Sequence, residues 1–175
     1  NAFMAFSLYL FEKYDDDQKI GFPFSKPPTL GAIYRLSSGD GQSELKPFLK
    51  DLAQRPFLSS HAKTAFSGML SQADETFASI LGTFKEPLNA WINPILDAVT
   101  SADDFLLTDV RKKKMTIYIG IQPNKLAESR LIINLFFSQL INLNTKELPQ
   151  NNKELKHQCL LLMDEFTAIG KVDII

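Results

Sequence analysis

The sequence predicts a mostly helical protein in which an all-α segment is inserted into an α/β fold. Two short apolar runs, "MTIYIGI" (115–121) and "CLLLMDE" (159–165), have the composition of buried strands. An apolar helical run, "NKLAESRLIINLFFSQLINLN", lies between them. A strand, a helix and a second strand in this order predict a βαβ unit with parallel strands and a right-handed crossover. Residues 29–97, by contrast, contain only helical patterns.

The N-terminal residues 2–14 predict a helix with one apolar face. Their large apolar side chains recur at steps of three and four, and they are Phe3, Phe6, Leu10 and Tyr14. The stretch "YDDDQKIGFPFSKPP" that follows contains three acids, a glycine and three prolines, which predicts a loop or linker.

The middle of the chain predicts a succession of short helices. The predicted helical runs are "LGAIYRLS", "SELKPFLKDLAQ", "SSHAKTAFSGML" and "SQADETFASILGTF". Thr29, Ser59 and Ser71 are candidate N-caps, and Pro87 and Pro94 interrupt the chain that follows. The run between the two predicted strands is apolar over most of its circumference, which predicts a largely buried helix.

Composition limits the class of protein. The chain has 175 residues, a formal net charge of -1 and 14 phenylalanines, which is typical of a globular domain with an aromatic core. One cysteine, Cys159, excludes an internal disulfide and favours a reducing compartment. No run reaches the roughly 18 apolar residues that a membrane-spanning helix needs. Because the first residue is Asn and both ends are apolar, we expect the chain to be a piece of a longer protein.

Asp164 and Glu165 follow the apolar run Leu160–Met163 and have the form of a Walker B motif. In an open parallel sheet, ligands bind at the carboxyl ends of the strands. The first acid is placed to hold Mg²⁺ through water, and the second to orient and deprotonate a water. A Walker B motif needs a Walker A loop, and the chain contains none, since Gly170-Lys171 lacks its spacing and follows the acids. Either the acids are a solvated strand end, or the loop lies upstream.

The residues around the acid pair resemble the type IV coupling proteins, the TraG/TraD-type ATPases of conjugation and type IV secretion. "LLLMDEFTAIGKV" resembles their Walker B region, and "LIINLFFSQLI" the helix before it. "NAFMAFSLYLFE" resembles the helix after their first nucleotide-domain strands. The run from "FASILGTFKEPLNAW" to "MTIYIGIQPNKL" resembles the exit from their all-α domain. These four blocks occur in the family's order and cover most of residues 1–12 and 77–175.

The resemblance implies a RecA-like nucleotide-binding domain with an all-α domain inserted in it. On this basis we predict nucleotide-domain segments at 1–26 and 98–175 and the all-α insert at 27–97. Asp164 is then the Mg²⁺ ligand, through water, and Glu165 the catalytic base. The implied parent is a homo-hexameric ATPase on the cytoplasmic side of the bacterial inner membrane. ATP and Mg²⁺ are its cofactors, although this chain without Walker A is expected to bind neither tightly and to be inactive.

The resemblance also implies partners. These are relaxase or relaxosome proteins or secreted effectors, the subunits of a type IV secretion channel, and single-stranded DNA. Substrate contacts are expected within 27–97, at residues that the sequence does not specify. That segment carries six cations and seven acids, a net charge of -1, which favours a protein partner over the phosphate backbone of DNA. The basic run from Arg111 to Lys114 has no interleaved aromatic residue and is more typical of a solvated edge.

Several single residues favour structural roles. Trp91, between two prolines, is predicted to lie in the core rather than to anchor a partner. His61 and His157 have no Cys or acid at metal-binding spacing. Cys159 is expected to be buried and inert.

Two further functions remain open. The chain is alternatively a helical module that binds a relaxosome or other substrate protein without nucleotide. A third hypothesis is a different RecA-like motor that translocates DNA.

Overall fold

A computed structural model describes residues 2–164 and divides the chain into two compact units, Asn1–Ala102 and Asp103–Ile175. We call these the N-terminal unit and the C-terminal unit. Both are helical. The α-helices of the described residues are α1 (Ala2–Lys19), α2 (Leu30–Ser37), α3 (Leu45–Ala53), α4 (Ser60–Leu70), α5 (Asp74–Lys85), α6 (Pro94–Val99) and α7 (Leu126–Asn144). Three 3-10 segments join them, at Glu86–Ile92, Leu107–Arg111 and Pro123–Lys125.

An aromatic cluster forms the centre of the N-terminal unit. The Phe66 ring of α4 is fully buried and lies edge-on to Phe6 of α1, at 5.9 Å, and to Tyr9, at 6.3 Å. Phe84 of α5 lies 5.3 Å from Phe6 on the other side, and Phe57 lies 5.7 Å from Tyr9. The high phenylalanine content is therefore used to pack α1 against α4 and α5.

Helix α1 is present as predicted, but its buried face differs from the predicted one. The buried residues are Ala2, Ala5, Phe6 and Tyr9, whereas Phe3 is half exposed. The helix also runs through the acidic stretch, predicted as a loop, to Lys19. An ion pair one turn apart, Lys13 to Asp17 at 2.5 Å, joins two turns of this extension. Gly21, with a φ of +70°, then turns the chain out of the helix.

A carboxylate of α1 caps another helix. Glu12 accepts hydrogen bonds from the backbone N–H and the hydroxyl of Ser59, both at 2.6 Å. Ser59 is the N-cap of α4, and its Oγ in turn accepts from the Ala62 N–H at 3.2 Å. Helix α1 therefore packs in one unit with helices of the 27–97 segment. The three-part domain division stays a prediction.

The helices of the middle segment and two of their caps are confirmed. Thr29 accepts from the Ala32 N–H at 3.1 Å and caps α2, as Ser59 caps α4. The prediction for Ser71 is wrong. It is the C-cap of α4, and α5 begins three residues later after Ala73. A hydroxyl residue in a turn fits the end of one helix as well as the start of the next.

The prediction that Trp91 lies in the core is confirmed. Its side chain is 3% exposed, and its indole N–H donates to Thr100 Oγ1 at 2.9 Å. Thr100 Oγ1 donates in turn to the Leu96 carbonyl at the end of α6. The buried indole therefore has a partner for its one polar group.

In the C-terminal unit, α7 is confirmed but is less buried than predicted. Ile133 and Leu140 are its buried residues, and Ile121 and Phe137 pack against Ile133. The leucines of another face are each more than a third exposed, and they are Leu131, Leu135 and Leu143. A helix with apolar residues all round buries only the side that meets a neighbour.

The strands predicted at 115–121 and 159–165 are not present among the described residues. Residues 115–121 and 159–164 lie outside helices, and the first segment contacts α7 through Ile121. Their predicted burial is also wrong. Tyr118 is 90% exposed, Leu162 is 89% exposed, and Cys159 is exposed. A strand requires a hydrogen-bonded neighbour, and a strand covered on both faces requires layers on both sides. The described part of this unit supplies neither.

Gly31 permits a close approach between α2 and α6. A Cβ at this position would lie 1.8 Å from Asp97 Oδ1, and Asp97 also pairs with Arg35 at 2.5 Å. We expect Gly31→Ala to lower the free energy of unfolding by about 1–3 kcal/mol, because Asp97 must move. Urea denaturation followed by Trp91 fluorescence measures this free energy, since Trp91 is the only tryptophan in the sequence.

Gly68→Ala is the matched control for this change. Gly68 lies within α4, and a Cβ there would meet nothing within 4 Å. We expect it to be neutral or to stabilise the unit by about 0.5–1 kcal/mol, because alanine favours the helix. Equal destabilisation by both variants would contradict the proposed role of the Asp97 contact.

Candidate functional site

Asp164 lies at the end of the described chain, directly after the apolar run Leu160–Met163. Its side chain is exposed and forms no hydrogen bond or ion pair with the described residues. Glu165 and the Gly170-Lys171 turn lie outside the described residues. The structure therefore places one member of the predicted acid pair and leaves the pair's geometry untested.

The two predicted strand segments approach each other at their beginnings. The His157 N–H donates to the Arg111 carbonyl at 3.0 Å. Residues 113–116 and 157–158 line one open pocket of about 510 Å³, together with Val110. The two predicted strand segments therefore begin close together in the C-terminal unit.

The basic run Arg111–Lys114 is largely used within the C-terminal unit. The Arg111 guanidinium donates to the Asn144 carbonyl at the end of α7 and to the Glu147 carbonyl, the latter at 3.1 Å. Lys112 pairs with Glu154 at 3.0 Å and Lys113 with Asp109 at 2.7 Å. The hydrogen bond that Lys112 donates to the Glu154 carboxylate raises the pKa of Lys112 above its ordinary value.

Arg111 thus holds the C-terminal end of α7, where the last carbonyls of a helix lack backbone donors. The sequence interpretation of the run as a solvated edge missed this role. The partners lie more than 30 residues away, and nothing in the local sequence indicates them. Lys114 is exposed and has no ion-pair partner among the described residues.

Several cations of the segment 27–97 also form ion pairs. Arg35 pairs with Asp97, Lys46 with Asp74 and Arg55 with Asp51. Lys46 also donates to the Gln72 carbonyl at 2.8 Å, and this contact joins α3 to the turn before α5. Desolvation lowers the pKa of Lys85. Half of the six cations in this segment are therefore neutralised by a neighbour.

An open, mainly apolar groove of about 560 Å³ lies in the N-terminal unit between α1, α4 and α5. Its lining includes His61, Thr64, Gly68 and Gln72 from one side of α4 and its C-terminal turn. His61 is exposed in this groove and has no acid or cysteine beside it in the lining. In residues 2–164, no three His, Cys, Asp or Glu side chains are grouped so that they could bind a metal. No helix in the same residues is long and apolar enough to cross a membrane.

The fit of a Mg²⁺ site can be judged at Asp164 alone. An exposed carboxylate without a competing cation supplies the hard oxygen that Mg²⁺ prefers, directly or through water. A single carboxylate does not bind nucleotide phosphates, which require the backbone N–H groups and lysine of a phosphate-binding loop. The described residues therefore supply one carboxylate that could bind Mg²⁺ and no group that would bind the phosphates.

Comparison with protein families gives one match over most of the chain. The model of the family described as Type IV secretory system Conjugative DNA transfer matches residues 23–175. No solved structure gives a significant match.

Comparison with curated proteins gives relatives of the same kind. The chain is 34% identical over 151 residues to Protein VirD4 of Rhizobium radiobacter and 31% identical to Protein VirD4 of Agrobacterium fabrum. These alignments cover 85% of the chain and 21% and 22% of those proteins. It is 25% identical to Conjugal transfer protein TraG of Escherichia coli over 64% of the chain and 19% of that protein. The chain spans about a fifth of the length of these relatives.

Proposed function

Because the chain belongs to the Type IV secretory system Conjugative DNA transfer family, we propose that it is part of a coupling ATPase. Such an ATPase recruits relaxase-bound single-stranded DNA or protein effectors and delivers them to a type IV secretion channel, driven by ATP hydrolysis. The observation that carries this proposal is the family match over residues 23–175, which includes the acid pair.

The proposed fold of the intact protein is a RecA-like nucleotide-binding domain with an inserted all-α domain. In that fold, 115–121 and 159–165 are neighbouring strands, and further strands outside this chain cover them. The exposure of Leu160 and Leu162 supports this proposal, because apolar side chains exposed at alternate positions are typical of a surface that another layer covers. The hydrogen bond between His157 and Arg111 is compatible with two strands that start side by side.

In the proposed site, the two acids have different roles. Asp164 supplies a carboxylate for Mg²⁺ through water, and Glu165 accepts a proton from the water that attacks the γ-phosphate. Mg²⁺, when bound, neutralises charge on the phosphates. The Walker A residues that bind the phosphates lie outside this chain, so we propose that the chain alone is inactive.

The proposed role of segment 27–97 is to contact the transferred substrate through its protein part. Its net charge of -1 and the pairing of Arg35, Lys46 and Arg55 leave little positive surface for phosphates. The favoured partner is therefore a relaxase, another relaxosome protein or an effector, and contact with single-stranded DNA is weak. Assembly as a homo-hexamer on the cytoplasmic side of the inner membrane, together with channel subunits, completes the proposal.

Complementation tests this function. A strain whose gene for the intact protein is deleted is expected to lose transfer of the mobile DNA or effector, and the wild-type gene should restore it. A gene with Asp164→Asn should not restore transfer, because Mg²⁺ loses a charged ligand. Normal transfer without the gene would contradict the proposal.

The alternative function is a helical module that binds a relaxosome or other substrate protein, without nucleotide activity in this chain. It is compatible with an ATPase function of the intact protein and differs from the first function only for this chain. A different RecA-like DNA motor predicts loss of DNA movement but no effect on secretion. The family match favours the first function over the different motor.

ATP binding by this chain alone gives a further prediction. We expect calorimetry of the 175-residue chain with ATP and Mg²⁺ to detect no specific binding, because a Walker A loop is missing. The titration should show no saturable binding with or without EDTA. Saturable binding that EDTA abolishes would contradict the expectation that residues outside this chain hold the phosphates.

A further inference from the structure

The contact between Glu12 of α1 and Ser59 at the start of α4 connects two parts of the chain that are 47 residues apart. The two carboxylate oxygens accept from the Ser59 N–H and from its hydroxyl, each at 2.6 Å. Hydrogen bonds to a charged group at this distance are short and strong. The contact is partly buried, so water competes with it less than at a fully exposed site.

The negative charge of Glu12 also lies at the N-terminal end of a helix. The first N–H groups of α4 have no partner within the helix, and the helix dipole places partial positive charge there. Ser59 satisfies one of them, the Ala62 N–H, with its own oxygen. Glu12 then satisfies the Ser59 N–H and orients the serine hydroxyl. The cap of α4 is thus completed by a residue from another helix.

The buried rings hold the first half of α1 against α4, and Glu12 holds its second half. Phe6 and Tyr9 lie against Phe66 near the middle of α4, whereas Glu12 meets the residue before its first turn. Two separate attachments along α4 define both the position and the direction of α1. The contacts of Phe6 with Phe84 and of Tyr9 with Phe57 also hold α1, and Glu12 adds a directional hydrogen-bonded contact at the start of α4.

We propose that α1 and α4 form one rigid lever and that Glu12 is the positioning residue that fixes their relative orientation. A displacement of α1 is then transmitted to the groove that α1, α4 and α5 line. The geometry of this lever stands on the contacts of the N-terminal unit. Its use in substrate transfer rests on the proposed function, in which α1 follows strands of the nucleotide-binding domain.

Amide hydrogen exchange of the full chain tests the contact. Glu12→Ala is expected to raise the exchange rate of the Ser59 amide about tenfold, the factor for one lost hydrogen bond to a charged group. The Phe66 amide, in the middle of α4, should keep its rate. Asp15→Ala is the matched control. It removes a carboxylate from the same helix, and Asp15 is exposed and has no partner among the described residues. An unchanged Ser59 amide in Glu12→Ala would overturn the proposal.

The orientation of the lever needs a distance measurement. Spin labels at the exposed Gln18 and Lys63, introduced as Cys in a Cys159→Ser background, report on α1 and α4. We expect one narrow distance distribution in the parent chain and in Asp15→Ala, and a broader one in Glu12→Ala. Ser59→Asp should also broaden it, although aspartate keeps the cap of α4, because it places a second carboxylate beside Glu12. Narrow distributions in all variants would show a purely local cap and overturn the lever.

Two further measurements distinguish a folding defect from loss of the contact. If Glu12→Ala does not fold, Glu12→Gln keeps the shape of the side chain and should show the same changes at smaller amplitude. In the intact protein, Glu12→Ala is expected to lower transfer about tenfold with ATP hydrolysis retained, and an equal loss of both would contradict the role in transfer. A wild-type protein that hydrolyses no ATP would remove the proposed function and leave the distance result standing.

Discussion

Glu165→Gln is expected to lower the rate of ATP hydrolysis by the intact protein about 10²–10⁴-fold, the usual contribution of a general base. In the proposed site, the carboxylate of Glu165 accepts a proton from the attacking water, and an amide of the same shape does not. Because the general base does not bind the phosphates, the affinity for ATP should change little. Phosphate release under saturating ATP measures the rate, and a fluorescent ATP analogue measures the affinity.

Two control variants make this result specific. Glu128→Gln makes the same chemical change at an exposed position of α7 that pairs with Lys125, and it should leave hydrolysis unchanged. Asp164→Asn should instead raise the Mg²⁺ concentration needed for half-maximal hydrolysis, because it removes charge at the metal. Hydrolysis at the wild-type rate in Glu165→Gln would refute the assignment of the base. Equal metal dependence in the two acid variants would refute the division of roles.

Phe66→Ala is expected to destabilise the N-terminal unit by about 3–5 kcal/mol, the range for truncation of a fully buried phenylalanine. Phe66 is fully buried, and its ring contacts Phe6 and Tyr9, so the change removes aromatic contacts and leaves a cavity between α1 and α4. Small domains have only about 5–15 kcal/mol of stability in total. Urea denaturation followed by Trp91 fluorescence should therefore show a large fall in the midpoint.

Phe24→Ala is the control for this measurement. Its ring is 80% exposed and contacts Phe22 at 6.1 Å, so we expect a change within about 0.5 kcal/mol. Because Trp91 is buried in the same unit as Phe66, its fluorescence reports the unfolding of that unit. A loss below about 1 kcal/mol in Phe66→Ala would mean that the aromatic cluster does not hold α1 in place.

The helices of the chain could be predicted because their signals are local. Prolines, glycines and capping residues act within a few positions, so Thr29 and Ser59 identify the starts of α2 and α4. The wrong predictions arose where one local sequence pattern is compatible with two structures. Ser71 ends α4 rather than capping α5, and the acidic stretch extends α1, where it contains an ion pair one turn apart.

The strands illustrate a different limit. Apolar, β-branched composition at 115–121 indicates a segment suited to a covered sheet, but pairing is a property of the neighbours. In the described residues those neighbours are absent, and Tyr118 is exposed. The roles of Asp164 and Glu165 were likewise predicted from their order after an apolar run. Glu165 lies outside the described residues, so the geometry of the pair stays untested.

The sequence by itself was sufficient to predict the family and the succession of helices, because these follow from residue order and local propensity. The roles of the acid pair stay a prediction. Only the tertiary structure decided that Phe6 rather than Phe3 is buried and that Arg111 holds the end of α7. It also decided that Glu12 completes the cap of α4. These contacts join residues 30 to 60 positions apart. The packing of helices on one another decides which residues are in contact, and no local sequence pattern indicates it.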